Sequence, residues 1–293
     1  MAEHQDHLAG VVTYYDTHPI NEQQIMHALQ ERGVDLDSLT EEELKEHDQD
    51  HFGGLQATDV LAAKAGIKKE HHVLDACSGM GGPARYIAHR IGCRVTGIDF
   101  TESRYLAAIK LTEMVGLDTL VDFVHGNALD MPFDEDSFDV VIAQEAWCHV
   151  PDKPRLIAQC ARVVKPGGVI AFTDILCTDK LSSGDMRRLR SEMTFPDLET
   201  INGYARLLEL NGCTLLEHDD LSKVWTKVLE DRLAMYRSLG EETERTFGAE
   251  RAREWDEAYA FFVSRYREGK LGGARFIARR DRAPVQDDEE EAL

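Results

Sequence analysis

Short apolar runs alternate with amphipathic helical stretches along the middle of this chain, and this alternation constrains the fold more than any other feature. The predicted strands are, in chain order, 72–76, 93–100, 121–126, 138–144 and 168–174. The predicted helices between them are 83–91, 102–115 and 153–164. Strands that alternate with helices are joined by right-handed crossovers and form a mostly parallel sheet covered on both faces. The pattern therefore predicts a doubly wound α/β fold.

The segments on either side of this alternation predict a cap, a lid and a tail. A polar helical segment leads into the first strand, and an aromatic-rich helical block precedes the last strand-like run, ARFIARR, which follows the predicted turn GKLGG. The expected domains are an N-terminal helical cap closing the site (1–60), a core (61–220), a helical lid insertion (221–270), a final core strand (271–281) and an acidic disordered tail (282–293). By default, most aromatic side chains of the lid form its own hydrophobic core.

Composition excludes several kinds of partner and location. The formal net charge is −21, and a surface this acidic repels phosphate backbones, so we expect no nucleic-acid partner. Part of the excess lies in the tail, at Asp287–Glu291. No apolar run is long enough to span a bilayer and the first residues lack a signal peptide, so we expect no membrane association. The six cysteines are scattered, without a CxxC pair, as is typical of reduced thiols in a cytoplasmic protein.

A glycine-rich turn, DACSGMGGPAR, follows the first predicted strand and opens a helix. By itself it could hold a dinucleotide, a phosphate or S-adenosylmethionine. Asp99 lies 20 positions beyond Gly79, at the end of the next strand, where a carboxylate accepts hydrogen bonds from ribose hydroxyls or merely caps a helix. Asp75 before the glycines and Asn127 after the third strand favour an adenosyl cofactor other than NAD.

The ordered motifs DACSGMGG, GIDF, GNALDMPF, SFDVVIAQEAWCHVPDK and ARVVKPGG resemble those of class I S-adenosylmethionine-dependent methyltransferases. DHFGGLQATD, IAFTDI, the helical insertion and GKLGGARFIARR extend the resemblance to the sarcosine/dimethylglycine N-methyltransferase group, over nearly the whole chain. The resemblance implies a Rossmann-like, mostly parallel seven-stranded sheet with helices on both faces, an antiparallel last strand and a helical lid insertion. One departure is Cys77, which stands where the family turn usually has its first glycine.

The resemblance also assigns roles at an S-adenosylmethionine site, whose product is S-adenosylhomocysteine. The residues implied at the methionine end are Asp75, Gly79, Gly81 for close approach, the backbone carbonyl of Gln144, and Arg85 as a carboxylate partner or a surface ion pair. The residues implied at the ribose and adenine are Asp99, Phe100, Asn127 and Ala128.

Methyl transfer requires an acceptor lone pair, the methyl carbon and the sulfur to lie in line, so positioning supplies much of the catalysis. His149 is the candidate for orienting the acceptor or taking its proton; the alternative is a structural histidine bonded to a backbone carbonyl. An amino-acid-like acceptor calls for aromatic faces near its nitrogen and an arginine near its carboxylate. The candidates are Tyr14, Tyr15, Trp147 and Trp225, together with Arg190, which otherwise belongs to a solvated helix face.

The leading hypothesis is N-methylation, by in-line transfer, of an amino-acid-like substrate of the sarcosine/dimethylglycine type. The runner-up is O- or C-methylation of a larger phenolic, sterol-like or natural-product acceptor. An NAD(P)-dependent dehydrogenase and an inactive binding protein are alternatives from other classes. His47 and His51 are four positions apart but lack further ligands at metal-site spacing, so we predict no metal. A homodimer is compatible with the sequence.

Overall fold

A computed structural model describes residues 2–18, 20–238 and 240–281 of the chain. Its strands form one seven-stranded sheet in the order β3-β2-β1-β4-β5-β7-β6. The strands are β1 His72–Ala76, β2 Arg94–Asp99, β3 Val121–His125, β4 Phe138–Gln144, β5 Val164–Cys177, β6 Cys213–Asp220 and β7 Leu271–Arg280. Strands β1 to β5 run parallel, and β7 pairs antiparallel with both β5 and β6. The predicted fold, including the antiparallel last strand, is confirmed.

Helices cover both faces of this sheet because successive strand residues point to opposite sides. The helices are α1 Ala2–Asp16, α2 Glu22–Glu31, α3 Glu41–Leu44, α4 Gly54–Lys64, α5 Gly82–Ile91, α6 Glu102–Met114, α7 Lys153–Val163, α8 Ser183–Glu192, α9 Ile201–Leu210, α10 Ser222–Ser238, α11 Gly240–Phe247 and α12 Ala249–Arg267. Val73 and Val140 belong to the cluster with α4 and α5, whereas Leu74 and Val141 belong to the cluster with α7 and α9.

The strand order reverses between β1 and β4, which is where an open parallel sheet leaves a crevice at the carboxyl ends of its strands. Helix α1 and the loop between α3 and α4 border this crevice. Helices α10 and α12 pack against β7 instead, and α10 reaches the same loop through Arg232. The fold therefore places the loops that follow β1 to β4 opposite the N-terminal cap.

The aromatic side chains of the lid are mostly its hydrophobic core, as the sequence led us to expect. Trp225 of α10 and Tyr259, Phe262 and Tyr266 of α12 are all buried in one cluster. Phe52, from the loop before α4, joins the same cluster, with its ring centroid 5.1 Å from that of Trp225. The lid is thus packed onto the core and onto the cap loop together.

The structure corrects several predicted boundaries. Strand β5 begins at Val164 rather than at residue 168, and the predicted turn GKLGG lies partly in strand β7. Gly273 lies in strand β7, where it pairs with Ile175. The Trp225 ring covers it, and a Cβ there would lie 2.0 Å from that ring, so the position requires glycine. The expected boundary between residues 60 and 61 falls inside α4. The acidic tail 282–293, with Asp287–Glu291, lies outside the described residues. None of the described helices is long and apolar enough to cross a bilayer.

Candidate active site

One cavity runs along the carboxyl edge of strands β1 to β4 and continues beneath helix α1. The predicted site residues that line it are Tyr15, Asp75, Gly79, Asp99, Phe100, Asn127, Ala128, Gln144 and His149. We call the part bordered by the loops after β1, β2 and β3 the cofactor end. The part bordered by Leu8, Val11, Tyr15, Asp50, Arg104, Glu145 and His149 is the acceptor end.

The cofactor end is organised by Asp99, the last residue of β2. One oxygen of its carboxylate accepts a hydrogen bond from the Gly79 N–H at 2.8 Å, and the other accepts one from the Thr101 N–H at 2.8 Å. The same carboxylate therefore holds the glycine turn against the start of α6. Its negative charge faces the cavity, and its remaining lone pairs are in the right chemical form to accept from ribose hydroxyls.

Asp75, at the end of β1, is a buried carboxylate that lacks full compensation. Its side-chain oxygen Oδ2 has no hydrogen-bond partner among the described residues, and neither does the buried hydroxyl of Ser78. Burial, reinforced by the nearby charge of Asp99, raises the pKa of Asp75 to about 7. Orphaned buried polar atoms in a cavity indicate a missing hydrogen-bonding or cationic partner.

The loop after β3 completes the cofactor end. Asn127 Oδ1 accepts a hydrogen bond from the Leu129 N–H at 2.9 Å, which fixes the amide beside Ala128. Across the cavity, Phe100 is 36% exposed, so its ring offers an apolar face. An aromatic face opposite an amide edge suits a planar heterocycle such as adenine.

The Gln144 side chain joins a hydrogen-bond network that sequence reasoning missed. Its Oε1 accepts from the Thr58 hydroxyl at 3.1 Å, and its Nε2 lies 3.1 Å from His51 Nδ1. His51 also lines the cavity, and burial lowers its pKa to about 4, so it is neutral at pH 7. Gln144 thus ties the end of β4 to the cap loop, leaving its backbone carbonyl as the group assigned to the cofactor.

At the acceptor end, Tyr15 and His149 meet edge to face, with ring centroids 5.3 Å apart. Thr194 Oγ1 lies 2.9 Å from His149 Nδ1 and fixes the ring orientation. Burial lowers the pKa of His149 to about 3, so the imidazole is neutral at pH 7. Burial also raises the pKa of Tyr15, so its phenol keeps its proton.

Three further residues of the acceptor end carry charge and were not predicted. Arg104 donates to the backbone carbonyl of Tyr15 at 3.2 Å and lies 3.8 Å from the Asp50 carboxylate. Glu145 follows Gln144 directly and has a left-handed backbone, with φ of 48°. Arg104 lies outside the quoted motifs, whereas Asp50 and Glu145 lie inside DHFGGLQATD and SFDVVIAQEAWCHVPDK without an assigned role. The one available signal was the position of Glu145 immediately after a predicted cofactor contact.

Arg85 does not line the cavity, contrary to the prediction that it pairs with a cofactor carboxylate or forms a surface ion pair. Its side chain is fully buried, and its guanidinium lies 2.8 Å from Asp48 and 3.9 Å from Glu41. Gly81 also turns away from the cavity wall. A Cβ there would lie 2.4 Å from Phe123 and 2.9 Å from the Arg85 guanidinium, so its close approach is to the protein itself.

Four predicted acceptor contacts also lie outside the cavity wall. Trp147 is fully buried against Phe172, and its indole N–H donates to the Ala76 carbonyl. Trp225 is covered by the lid cluster described above. The Arg190 guanidinium donates to the Pro196 carbonyl, which turns it away from the cavity. Tyr14 packs against Trp255 and His149, so it supports the acceptor end from behind.

Among the residues that the structure describes, no three His, Cys, Asp or Glu side chains are grouped so as to hold a metal ion. His51 is committed to Gln144, and His47 contacts the Arg32 guanidinium at 3.1 Å. The two histidines that are four positions apart therefore have separate partners.

Comparison with known proteins gives the same cofactor-binding domain. Residues 74–172 match the family model described as a methyltransferase domain. The glycine/sarcosine/dimethylglycine N-methyltransferase of Actinopolyspora halophila is 31% identical over 56% of this chain and 29% of its own length. The sterol 24-C-methyltransferase ERG6B of Gibberella zeae is 35% identical over 55% of this chain and 44% of its own length. The chain thus spans less than half the length of these two relatives.

Among solved structures, phosphoethanolamine N-methyltransferase 2 of Haemonchus contortus, in complex with S-adenosyl-L-methionine, superposes with a TM-score of 0.72. The two chains are 18% identical, and the superposition covers 92% of this chain and 60% of that one. This likeness extends the shared fold beyond the matched domain.

The residues present fit S-adenosylmethionine. Asp75 has an unpartnered oxygen for a cationic group, Asp99 offers a carboxylate for the ribose, and Asn127 and Phe100 border a space suited to adenine. The matched segment contains all four of these residues. Residues 74–172 therefore form a methyltransferase domain of the class I, S-adenosylmethionine-dependent group.

Proposed function

We propose that this protein transfers a methyl group from S-adenosylmethionine to the amine nitrogen of a small molecule. The observation that carries the proposal is the continuity of the cavity. It leads from the carboxylates of the cofactor end directly to Tyr15, Glu145 and His149. A methyl donor bound at one end would face an acceptor bound at the other without leaving the cavity.

The cofactor supplies an activated methyl group on a sulfonium, which leaves as a neutral thioether. The chain then has to align the acceptor nitrogen and exclude water, and such positioning contributes roughly 7–11 kcal/mol. His149 suits this task because it is neutral and Thr194 holds its Nδ1, so its Nε2 is the ring atom left to meet the acceptor. Tyr15, which keeps its proton, is placed to donate or accept a hydrogen bond beside it.

The relatives support both an amine and an apolar acceptor. One acts, by its name, on glycine, sarcosine and dimethylglycine, and another on a sterol carbon. C-methylation of a sterol-like acceptor is therefore a second candidate. Leu8 and Val11 of α1 favour it, because they give the acceptor end an apolar wall.

Calorimetric titration with S-adenosylhomocysteine tests the cofactor, and a screen with radiolabelled cofactor tests the acceptor. The screen should contain amines, amino acids, phenols and sterols. We expect label on an amine; label on a sterol alone would support the second candidate instead. If S-adenosylhomocysteine does not bind, both candidates fail.

Replacing Asp99 with alanine should weaken binding of S-adenosylhomocysteine by about 100-fold or more. The variant loses hydrogen bonds to a charged group, each contributing about 1.5–3 kcal/mol, as well as the anchor of the Gly79 turn. Asp179→Ala, at an exposed position, is the matched control and should bind normally. Unchanged affinity in a folded Asp99→Ala protein would contradict the assigned ribose role.

A further inference from the structure

We propose that Glu145 is the group that binds the acceptor as an ammonium ion and removes its proton, so that the acceptor class is a cationic amine. This inference rests on the proposed function, which it deepens by naming the acceptor's charge. It assigns to Glu145 a role that the motifs do not.

The backbone directs Glu145 to the cavity. Strand β4 ends at Gln144, and the Glu145 N–H donates to the Thr173 carbonyl at 2.9 Å, so this residue still pairs with β5. Its φ of 48° then turns the chain out of the sheet. A left-handed backbone costs a residue with a side chain about 1–2 kcal/mol, and such conformations concentrate at functional sites.

The carboxyl group of Glu145 is held by hydrogen bonds and has no ion-pair partner among the described residues. Its Oε2 accepts a hydrogen bond from the Phe52 N–H of the cap loop, and the Thr173 side chain also hydrogen-bonds the carboxyl group. No described lysine, arginine or histidine forms an ion pair with it within 4.0 Å. The side chain is therefore fixed in position and still able to accept.

The other charges of the acceptor end are compensated or absent. Asp50 lies 3.8 Å from the Arg104 guanidinium, which balances its charge. His51 and His149 are neutral at pH 7, because burial lowers their pKa values to about 4 and about 3. This leaves Glu145 as the carboxyl group of the described acceptor end without an ion-pair partner, and a positively charged acceptor would stabilise its ionised form.

An acceptor carboxylate finds no such complement. Arg104 is the single lysine or arginine among the described residues that line the cavity, and it is already engaged by Asp50 and by the Tyr15 carbonyl. Arg190 is held by Pro196. The charge distribution thus favours a cationic amine over a carboxylated one.

The proton step balances with the groups named. The acceptor ammonium gives one proton to the Glu145 carboxylate, and the freed nitrogen lone pair forms the new N–C bond to the methyl group. The C–S bond breaks, its electron pair stays on sulfur, and the product nitrogen carries the positive charge. Glu145 afterwards releases its proton to water.

Burial raises the pKa of Glu145 to about 7, which suits it to both holding and releasing a proton near neutral pH. The titratable groups that face it are Arg232 from α10, Asp174 from β5, Tyr266 from α12 and Cys148. Of these, Arg232 lowers its pKa and Asp174 raises it.

Tetramethylammonium, which resembles an ammonium ion but cannot be methylated, is the probe for this site. Calorimetry on the full chain saturated with S-adenosylhomocysteine should detect its binding, and Glu145→Gln should weaken that binding at least 10-fold. The affinity for S-adenosylhomocysteine itself should change less than 3-fold. Glu135→Gln, at an exposed position, is the matched control and should change neither.

Equal affinity of Glu145→Gln and the unaltered protein for tetramethylammonium would overturn the inference, as would failure of the unaltered protein to bind it. Neither result contradicts the proposed methyltransferase activity, which is tested separately by the binding of S-adenosylhomocysteine. If Glu145→Gln does not fold, Glu145→Asp keeps the charge on a shorter arm, and its tetramethylammonium affinity should fall between those of Glu135→Gln and background. Background-level binding by a folded Glu145→Asp, or full affinity, would count against the role.

The pH profile gives a second readout that a purely structural role would not move. With an amine found in the screen, kcat/KM of the unaltered protein should fall as the pH decreases below about 7, because Glu145 becomes protonated. Glu145→Gln should lose this part of the profile and at least 100-fold in rate. A profile of unchanged shape in the variant would contradict proton removal by Glu145.

Discussion

The two ends of the cavity are built in different ways. At the cofactor end, backbone N–H groups of neighbouring loops bind one carboxylate, as Gly79 and Thr101 do with Asp99. At the acceptor end, contacts join segments far apart in the chain. The His7 ring hydrogen-bonds the His149 carbonyl. Arg232 donates to the carbonyls of Asp50 and His51. The geometry of the cofactor end is thus determined by the sheet and its loops, whereas that of the acceptor end depends on how the cap and lid pack together.

The electrostatics of the two ends differ in the same way. The cofactor end contains buried carboxyl groups whose pKa values are raised, Asp75 and Asp99. The cap side contains buried histidines whose pKa values are lowered, His18 and His51. Burial causes both shifts by disfavouring the charged form. Burial thus acts on carboxyl groups at the cofactor end and mainly on histidines on the cap side, while the acceptor end also contains Glu145, a carboxyl group with a raised pKa.

The largest expected effect comes from breaking the buried ion pair between Arg85 of α5 and Asp48 of the cap loop. Arg85→Met should reduce the free energy of unfolding by about 3–5 kcal/mol, because it leaves Asp48 buried without its partner. Chemical denaturation measures the loss. Arg90→Met is the matched control: its ion pair with Asp59 is exposed and should contribute less than about 1 kcal/mol.

The same variant also tests whether the buried ion pair contributes to cofactor binding. Arg85 does not line the cavity, and a residue without ligand contact is expected to couple only modestly to binding. The folded fraction of Arg85→Met should therefore bind S-adenosylhomocysteine within about 3-fold of normal affinity. A complete loss of binding by well-folded protein would show that Arg85 reaches the cofactor after all.

Acid should act in opposite directions on the buried histidines of the cap side and on Asp75. Burial lowers the pKa values of His18 and His51 from 6.5 to about 4. Between these values the unfolded chain binds more protons, so stability present above pH 6.5 is lost as the pH falls, by up to about 1.4 kcal/mol per pH unit for each histidine. Asp75 has the opposite sign: burial raises its pKa to about 7, so its contribution is present at low pH and is lost as the pH rises through 7.

Hydrogen exchange at pH 7 and pH 5, corrected for intrinsic rates, measures this contrast. On acidification, protection should fall more around His18 and His51 than in residues 72–99. His51→Asn should reduce the difference in the cap loop, because its side chain does not titrate. Equal loss of protection at both ends would contradict the contrast.

The smallest expected effect is at Cys77, within the cofactor end. Its φ of 71° is left-handed, which costs a residue with a side chain about 1–2 kcal/mol. Cys77→Gly removes this strain, while the greater freedom of glycine in the unfolded chain offsets roughly 0.5–1 kcal/mol of the gain. We expect a gain in stability of no more than about 1 kcal/mol by thermal denaturation, and little change in S-adenosylhomocysteine affinity. A clear loss of stability would mean that the thiol packs better than its backbone suggests.

The sequence predicted the sheet and much of the cofactor end because both depend on local patterns. Strand and helix periods fix which face of β1 is buried. Asp75 and Asp99 lie near the ends of their strands and Asn127 lies two positions after β3, so topology alone brings them together. Gly273 shows a limit of such reasoning: it looked like part of a turn, but it is a strand residue covered by an indole that lies 48 positions earlier in the chain.

The acceptor end could not be predicted to the same extent. Trp147 and Trp225 have the aromatic character expected of acceptor contacts, yet burial of their large apolar surface places them in the core. Asp50 and Glu145 lie within motifs of the family resemblance that assign them no role, and their proximity to Arg104 depends on how the cap docks onto α6 and β4. Composition and spacing contain little information about such docking.

Arg232 gives this docking a mechanical consequence. One guanidinium on α10 donates to two successive carbonyls of the cap loop, Asp50 at 3.1 Å and His51 at 2.9 Å. Moving the helix away from the loop breaks both hydrogen bonds together, so the two cannot fray apart one residue at a time. The cap loop and α10 are therefore mechanically coupled. Opening of the cavity by movement of the loop requires α10 to move with it or Arg232 to release both carbonyls.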